Sequence, residues 1–147
     1  VYNPAGLLAH PNADRGSWKG ATLVNRLGNT FKQYCHLVHR LDCKVSGLSL
    51  IGLDKESTAA LHGALRSEES KKTYYALCRG SGAELRGRGA FLLDRPLRDR
   101  SNRNESLRQQ MKSACTEVEV LWGCEDPPCC LVRARPRTGR YRQIRRH

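Results

Sequence analysis

The segment TEVEVLWGCEDPPCCLVRAR, at residues 116–135, carries the clearest structural pattern of this chain. Its first part alternates in side-chain character, which is typical of a strand with one buried face. The positions on that buried face are predicted to be Thr116, Val118, Val120 and Trp122. Pro127 and Pro128 interrupt the alternation, and residues 129–135 form a return strand. The sequence therefore predicts an antiparallel hairpin late in the chain.

Two helices are predicted before this hairpin. A short apolar-periodic stretch at residues 21–27 predicts a helix that ends near Gly28. Asp54 is a good capping residue, and the apolar positions that follow it repeat with helical spacing. A third helix is predicted to begin after the turn at Thr138 and Gly139.

Strands and loops fill the remaining sequence. Apolar or β-prone runs predict strands at residues 48–53 and 73–79. The stretch 86–103 is rich in Gly and Arg and has no periodicity, so it predicts a loop. These elements together predict an α+β fold with a mixed, largely antiparallel sheet and flanking helices.

The length of 147 residues predicts one domain spanning residues 1–147. The chain begins almost inside a structural element at Val1 and stops inside an Arg-rich one at His147. We therefore expect a fragment that is truncated at both ends and lacks the C-terminal portion of its domain.

Charge is the strongest signal in the composition. There are 26 Lys and Arg residues against 14 Asp and Glu residues, which gives a net charge of +12 and a pI near 9.8. A basic surface of this size favours a polyanionic partner, and nucleic acid is the commonest one. The alternatives are a solvated basic surface and a mitochondrial address. No apolar run approaches the roughly 18 residues of a membrane span.

The seven cysteines are irregularly spaced and form no CxxC pair. A disulfide framework is therefore not expected, which favours a reducing compartment such as the cytoplasm, or an organelle if a leader has been removed. Two groups have the residue types of zinc ligands: Cys124 with residues 129–130, and residues 35–36 with His39. Neither group has a second ligand pair at suitable spacing, so buried reduced thiols are the preferred interpretation and no metal is expected.

Three short blocks contain the candidate chemistry: HRLDCKVSG at 39–47, KTYYA at 72–76 and TGRYRQIRRH at 138–147. A carboxylate in a basic segment, an aromatic ring and an Arg-dense terminus could together hold and attack a nucleobase. Taken alone, Asp42 is a loop or capping residue, Tyr74 packs in a core, and Arg145 is one more solvated or RNA-facing arginine. A kinase catalytic loop is rejected, because Leu41 separates the Arg from the Asp and no glycine loop of the required form occurs.

In this order the three blocks resemble the RluA-type pseudouridine synthases, whose signatures read HRLDxxTSG, KxYxA and TGRxHQIRxH. The NPAG turn at residues 3–6 is similar to the KPxG turn of that family. Asn3 replaces the family Lys, Val45 replaces the Thr of TSG, and Arg142 replaces the His of HQIR. The chain looks most like the TruC branch, which modifies tRNA.

The resemblance implies an RNA isomerase that converts uridine to pseudouridine without a metal or an organic cofactor. Asp42 would act as a nucleophile or as a base. Tyr74 would stack on the flipped uracil and take part in proton transfer. Arg145 would pair with Asp42 and orient it.

The other basic residues are assigned to RNA. Arg40 resembles the family Arg that fills the space left by the flipped nucleotide. The residues assigned to phosphate contacts are Lys72, Arg98, Arg100, Arg103, Arg140 and Arg142. We expect a monomer that binds RNA, with tRNA as the target. The alternatives are an rRNA synthase of the same family, a basic RNA-binding module in which Asp42 is structural, and a truncated synthase that binds RNA without turnover.

Overall fold

The structure, a computed structural model, describes residues 1–10, 21–98 and 109–147. The chain divides into two compact units, Val1–Ser70 and Lys71–His147. The expectation of one catalytic domain over residues 1–147 stays a prediction.

The first unit contains two helices and two small antiparallel strand pairs. The helices are α1 (Leu23–Phe31) and α2 (Lys55–Arg66). The strands are β1 (Tyr2–Asn3), β2 (His36–Leu37), β3 (Gly47–Leu48) and β4 (Ile51–Gly52). Strand β1 pairs with β3, and β2 pairs with β4. The buried apolar side chains of this unit are Leu7, Ala9, Leu23, Val24, Cys35 and Val38.

Helix α1 was predicted at the right place but with the wrong end. Thr22 caps it, since its Oγ1 accepts the Asn25 N–H at 3.3 Å. The helix continues through Gly28 and ends at Lys32, which has a left-handed φ of 57°. A Cβ built on Gly28 would lie 3.4 Å from the carbonyl oxygen of Gln33. This glycine therefore gives room to the chain that folds back after the helix, and it does not stop the helix.

Helix α2 begins at Asp54, as predicted. The Asp54 carboxylate accepts the backbone N–H of Ser57 at 2.7 Å. The helix packs closely on β4, because a Cβ on Gly52 would lie 2.9 Å from the Cα of Thr58. Only glycine allows this approach without a shift of the helix.

The single strand predicted at residues 48–53 is wrong, because the run is split into β3 and β4. The two residues between them bond to different partners. The Ser49 N–H donates to the Val1 carbonyl at 2.8 Å, while the Leu50 carbonyl accepts the Val38 N–H at 3.2 Å. The run thus changes neighbours halfway, which apolar content alone does not reveal.

The second unit is built on a four-stranded antiparallel sheet with the order β5-β10-β9-β6. These strands are β5 (Tyr74–Arg79), β6 (Phe91–Asp94), β9 (Cys115–Glu125) and β10 (Pro128–Pro136). A separate pair joins β7 (Leu97–Arg98) to β8 (Met111–Lys112), and α3 (Gln143–Arg146) is one helical turn. The predicted hairpin is β9–β10, at the centre of the sheet. The α+β class with a largely antiparallel sheet is confirmed.

Part of the predicted loop at residues 86–103 is strand. Phe91 and Leu93 face the sheet core, and β6 pairs with β9 through Phe91 opposite Val118. Four residues are too few for periodicity to be recognised in an Arg-rich context. Arg98 lies on β7, whereas Arg100 and Arg103 lie outside the described residues.

The predicted burial of Trp122 is wrong, because the β9–β10 ladder contains an irregularity. Val120 is opposite Val132, but Trp122 is opposite Leu131, so β9 holds one extra residue. A bulge of this kind reverses which side chains point to which face. Val118 and Val120 are buried, whereas Trp122 is 50% exposed on the other face.

The face opposite the core carries alternating charges. Glu119 pairs with Arg133, and Glu117 pairs with Arg135 at 3.1 Å and with Arg137 at 3.0 Å. Hydrogen bonds from Arg137 and then Arg135 hold the pKa of Glu117 below its ordinary value of 4.5. These five residues are called the charge ladder. In it, Arg133, Arg135 and Arg137 are already paired with glutamates of β9.

The cap of α2 makes unit 1 sensitive to acid. The hydrogen bond from the Ser57 backbone lowers the pKa of Asp54 below 3.8. Because this pKa is lower in the folded state, the ionised cap contributes fully to the free energy of unfolding when the pH is above the pKa of the unfolded chain. The contribution is lost as the pH falls through the pKa of the folded protein. We expect Asp54→Asn, which keeps a capping oxygen, to unfold at a lower urea concentration than the parent at neutral pH. The difference should disappear well below pH 3.8.

Urea unfolding followed by circular dichroism measures this difference. Glu56→Gln is the matched control, because Glu56 also lies in the first turn but is not the capping residue. A constant difference between parent and Asp54→Asn at every pH would contradict the charged cap.

Candidate active site

The loop that carries Asp42 is held in unit 1 by backbone hydrogen bonds. The Val45 N–H donates to the Asp42 carbonyl at 2.8 Å, which closes a four-residue turn around Cys43. The Cys43 carbonyl in turn accepts the Gly6 N–H at 2.6 Å, so the N-terminal turn ties the loop down from its other side. Asp42 itself is half-buried, and the backbone of its loop is held by these hydrogen bonds.

His39 positions the chain before Asp42. Its Nε2 accepts the Leu50 N–H at 3.1 Å, so the proton of the neutral ring lies on Nδ1. The Leu50 carbonyl accepts the Val38 N–H, and residues 38–39 are thereby fixed against residue 50 on both sides. Sequence reasoning gave His39 no role, although it begins the HRLD block.

Gly47 closes the same loop in a conformation that side chains rarely adopt. Its φ is 152°, and a Cβ there would lie 3.5 Å from Leu41 Cδ1. The Ser-Gly ending of the block is therefore explained by backbone geometry.

Two buried polar side chains lie next to this loop, Asn3 on β1 and Ser49 immediately after β3. Asn3 is 0% exposed and Ser49 is 1% exposed. Across the described ranges, no hydrogen-bond partner is found for the Asn3 amide atoms or for the Ser49 hydroxyl. Buried polar groups of this kind normally have a partner, so this part of unit 1 is less well satisfied than the sheet of unit 2.

Tyr74 lies in unit 2, at the start of β5. It is opposite Ala134 on β10 and is half-buried, while its neighbour Tyr75 is 64% exposed. The two tyrosines therefore occupy opposite faces of β5, and Tyr74 is on the face that carries the core.

Gln143 connects the Arg-rich terminal segment, residues 138–147, to the sheet. Its Nε2 donates to the Cys115 carbonyl and to Thr116 Oγ1, both at 2.9 Å. Its Oε1 accepts the Thr138 hydroxyl at 2.9 Å and the Arg140 N–H at 3.0 Å. The side chain is 4% exposed, and all four hydrogen-bonding positions of its amide are used.

His147 and Arg95 complete the attachment of this segment. One ring nitrogen of His147 bonds Thr116 Oγ1 at 2.8 Å, and the other bonds the Arg95 carbonyl at 3.1 Å. The Arg95 guanidinium donates to the Arg146 carbonyl at 2.7 Å. Sequence reasoning missed Gln143, Thr116 and His147 as positioning residues, because the bonds that attach the segment to the rest of unit 2 join residues 27 to 52 positions apart.

The three arginines predicted in this segment have different surroundings. Arg140 is half-buried, and its Nε donates to the Ser113 carbonyl at 2.8 Å. Arg142 has a left-handed φ of 49°, and its guanidinium carbon is 4.9 Å from the centre of the Tyr141 ring. Arg145 is exposed on α3. The segment thus presents Arg145 from a rigid support.

The predicted site residues are divided between the units. Asp42 and the exposed Arg40 belong to unit 1. Unit 2 holds Tyr74 and the terminal segment at the same end of its sheet, because Tyr74 is opposite Ala134 and α3 contacts β10. Lys72 and Arg98 are exposed. The roles assigned to all of these residues stay predictions.

The described residues contain neither a metal-binding cluster nor a membrane-spanning helix. In residues 1–10, 21–98 and 109–147, no group of three or more His, Cys, Asp or Glu side chains is placed to hold a metal ion. None of the helices in these ranges is long and apolar enough to cross a membrane. All seven cysteines are free; Cys35 and Cys130 are buried, and the other five are half-buried, so the prediction of buried thiols holds for two.

Similarity to known proteins identifies the class of protein. The family model described as RNA pseudouridylate synthase matches residues 1–147. The dual-specificity RNA pseudouridine synthase RluA of Yersinia pestis is 35% identical over 150 residues, covering 100% of this chain and 69% of that protein. tRNA pseudouridine synthase C of Vibrio cholerae is 29% identical over 164 residues, covering 100% of this chain and 63% of that protein.

Solved structures agree on the fold. Human RNA Pseudouridylate Synthase Domain Containing 4 superposes with a TM-score of 0.67 at 23% identity, over 98% of this chain and 57% of that one. Human RNA Pseudouridylate Synthase Domain Containing 1 gives a TM-score of 0.63 over 84% of this chain and 53% of that one. The chain belongs to the RNA pseudouridylate synthase family, as its three blocks predicted, and it spans roughly half to two thirds of the relatives it matches.

The Gln143 attachment can be tested by stability. We expect Gln143→Met to destabilise unit 2 by about 1–3 kcal/mol or more, because it leaves buried donors and acceptors without partners while conserving volume. Gln110→Met is the matched control, since Gln110 is exposed in the same unit.

The measurement is the urea midpoint of each variant. Equal midpoints for Gln143→Met and Gln110→Met would show that the terminal segment does not depend on the buried amide.

Proposed function

We propose that this chain contributes the catalytic carboxylate and the uridine-contacting residues of an RNA pseudouridine synthase that acts on tRNA. Membership of the family over the full 147 residues carries the proposal. The fixed Asp42 loop supports it, since a catalytic carboxylate must be held in place by its backbone.

In the proposed reaction, the N1–C1′ glycosidic bond of the target uridine breaks, the uracil turns, and a C5–C1′ bond forms. The hydrogen originally on C5 leaves as a proton, and N1 takes up one proton after its bond to C1′ has broken, so the product is an isomer of the substrate. Asp42 acts as a nucleophile or as a base, and the reaction consumes no second substrate.

Tyr74 and Arg145 have supporting roles in the proposal. Tyr74 stacks on the flipped uracil, a contact worth about 1–3 kcal/mol per base, and its hydroxyl assists proton transfer. Arg145 orients Asp42 by charge-assisted hydrogen bonding. Arg40 fills the space that the flipped nucleotide leaves in the RNA.

tRNA is the proposed substrate because several related proteins are named tRNA pseudouridine synthase C. An rRNA substrate is the second candidate, because the related RluA of Yersinia pestis is named a dual-specificity RNA enzyme and its name is not restricted to tRNA. The net charge of +12 also supports an RNA substrate, because contacts between basic side chains and phosphates supply much of the affinity for nucleic acid.

The catalytic role of Asp42 can be tested with RNA carrying tritium at uracil C5, because bond formation at C5 must release the label. We expect release from tRNA by the parent chain and none by Asp42→Asn. RNA affinity should change by less than about threefold, because phosphate contacts supply most of it. Asp126→Asn, in the exposed hairpin turn, is the control for the loss of one negative charge.

The same assay separates the alternatives. Label released from rRNA and not from tRNA would replace the proposed substrate, and full turnover by Asp42→Asn would refute the catalytic assignment. RNA binding without release by the parent would favour a binding module or a synthase fragment.

The phosphate contacts predicted for residues 98–103 can be tested by salt dependence. We expect Arg98→Gln, Arg100→Gln and Arg103→Gln, combined in one chain, to reduce the slope of log affinity against log salt by about two units. The control is Arg133→Gln, because Arg133 is already paired with Glu119 in the charge ladder. Filter binding at several salt concentrations gives both slopes, and an unchanged slope in the triple variant would mean that these arginines only face water.

A further inference from the structure

The tip of the β9–β10 hairpin places two pairs of cysteines in register. Cys124 on β9 is directly opposite Cys129 on β10, and Cys130 on β10 is directly opposite Cys78 on β5. The catalytic assignments above use none of these thiols.

The two pairs lie on opposite faces of the sheet. Cys130 belongs to the buried core, and Cys78 packs against it. Because side chains alternate along β10, Cys129 and its partner Cys124 are on the other face, where both are half-buried. Arg79, opposite Cys129 on β5, adds a cation to this face.

We propose that Cys124 and Cys129 form a dithiol modification site that closes into a cross-strand disulfide when it meets glutathione disulfide. Directly opposed residues of antiparallel strands have Cα atoms about 4.5–5.5 Å apart. Disulfides require Cα separations of about 4.4–6.8 Å, so the spacing of directly opposed strand residues lies within the range that a disulfide needs. The Arg79 guanidinium suits an oxidant that carries carboxylates.

The reaction is two successive thiol–disulfide exchanges. The Cys129 thiolate attacks one sulfur of glutathione disulfide, breaks its S–S bond and releases one glutathione. The Cys124 thiolate then attacks the Cys129 sulfur of the mixed disulfide and releases the second glutathione. The protein loses two electrons, glutathione disulfide gains them, and the two thiol protons end on the released glutathiones.

The local contacts allow this closure. The Cys124 thiol donates to the Asp126 carbonyl at 3.1 Å, so it lies at the tip of the hairpin and exchanges one weak hydrogen bond for the S–S bond. The second pair is an internal control. Burial, and then the nearby Cys130, raise the pKa of Cys78, and Cys130 is only 6% exposed. We expect this core pair to stay reduced while the sheet is folded.

The test is incubation of the folded chain with glutathione disulfide, blocking of remaining thiols, and intact-mass measurement. We expect a product that has lost two hydrogens and carries no glutathione. Proteolysis on the N-terminal side of Asp residues cuts between Cys124 and Cys129, at Asp126. The fragments 99–125 and 126–147 should then remain joined until a reductant is added.

Single variants identify the sulfurs. Cys124→Ser and Cys129→Ser should each keep one glutathione on the remaining cysteine, because the second exchange has lost its nucleophile. Circular dichroism establishes that each variant is folded. The measurement on the parent chain tests the proposal without any substitution. Fragment 54–93 joined to 126–147 at an equal rate would indicate the Cys78–Cys130 pair instead, and would overturn the proposal. So would a parent chain that stays fully reduced or stops at the mixed disulfide.

Discussion

The side-chain amide of Gln143 joins the Arg-rich terminal segment to the sheet, and every hydrogen-bonding position on it is committed. Two of its bonds reach the start of β9, and two hold the turn that leads into α3. Because the group is buried, the alternative to these bonds is not hydration but unsatisfied donors and acceptors. Seven arginines lie between residues 133 and 146. The positions of Arg140, Arg142 and Arg145 among them depend in large part on the uncharged side chain of Gln143.

The loop of Asp42 is fixed by a different means. Its bonds are short-range backbone contacts, supplemented by the imidazole of His39 and by a glycine in an unusual conformation. Such a loop is specified mainly by turn chemistry and resists small changes in the surrounding core. The less satisfied part of this unit is next to the loop, where the Asn3 side chain on β1 and the Ser49 side chain just after β3 are buried without hydrogen-bond partners among the described residues. The two units thus hold their candidate residues with different physical interactions.

The sequence was sufficient wherever the decisive interaction is local. Alternation located the central hairpin, and Asp54 marked the start of α2. The sequence was insufficient wherever the local structure depends on a partner that lies far along the chain. The split at Ser49 and the strand β6 each depend on contacts with segments that no short window contains. Gln143 was missed for the same reason, since its partners lie as far as 28 residues away.

The extra residue in β9 divides the hairpin into two stretches with opposite frames. Before it, even-numbered β9 residues such as Val118 and Val120 face the core; after it, the odd-numbered Gly123 takes the core side, opposite Cys130. Glycine is the residue that fits there, because a Cβ would meet the backbone of Ser81. The alternation of side chains between the two faces is therefore offset by one residue in the tip, beyond Leu121, relative to the rest of β9. Grafts or insertions beyond Leu121 preserve both faces only when they add residues to each strand in equal number.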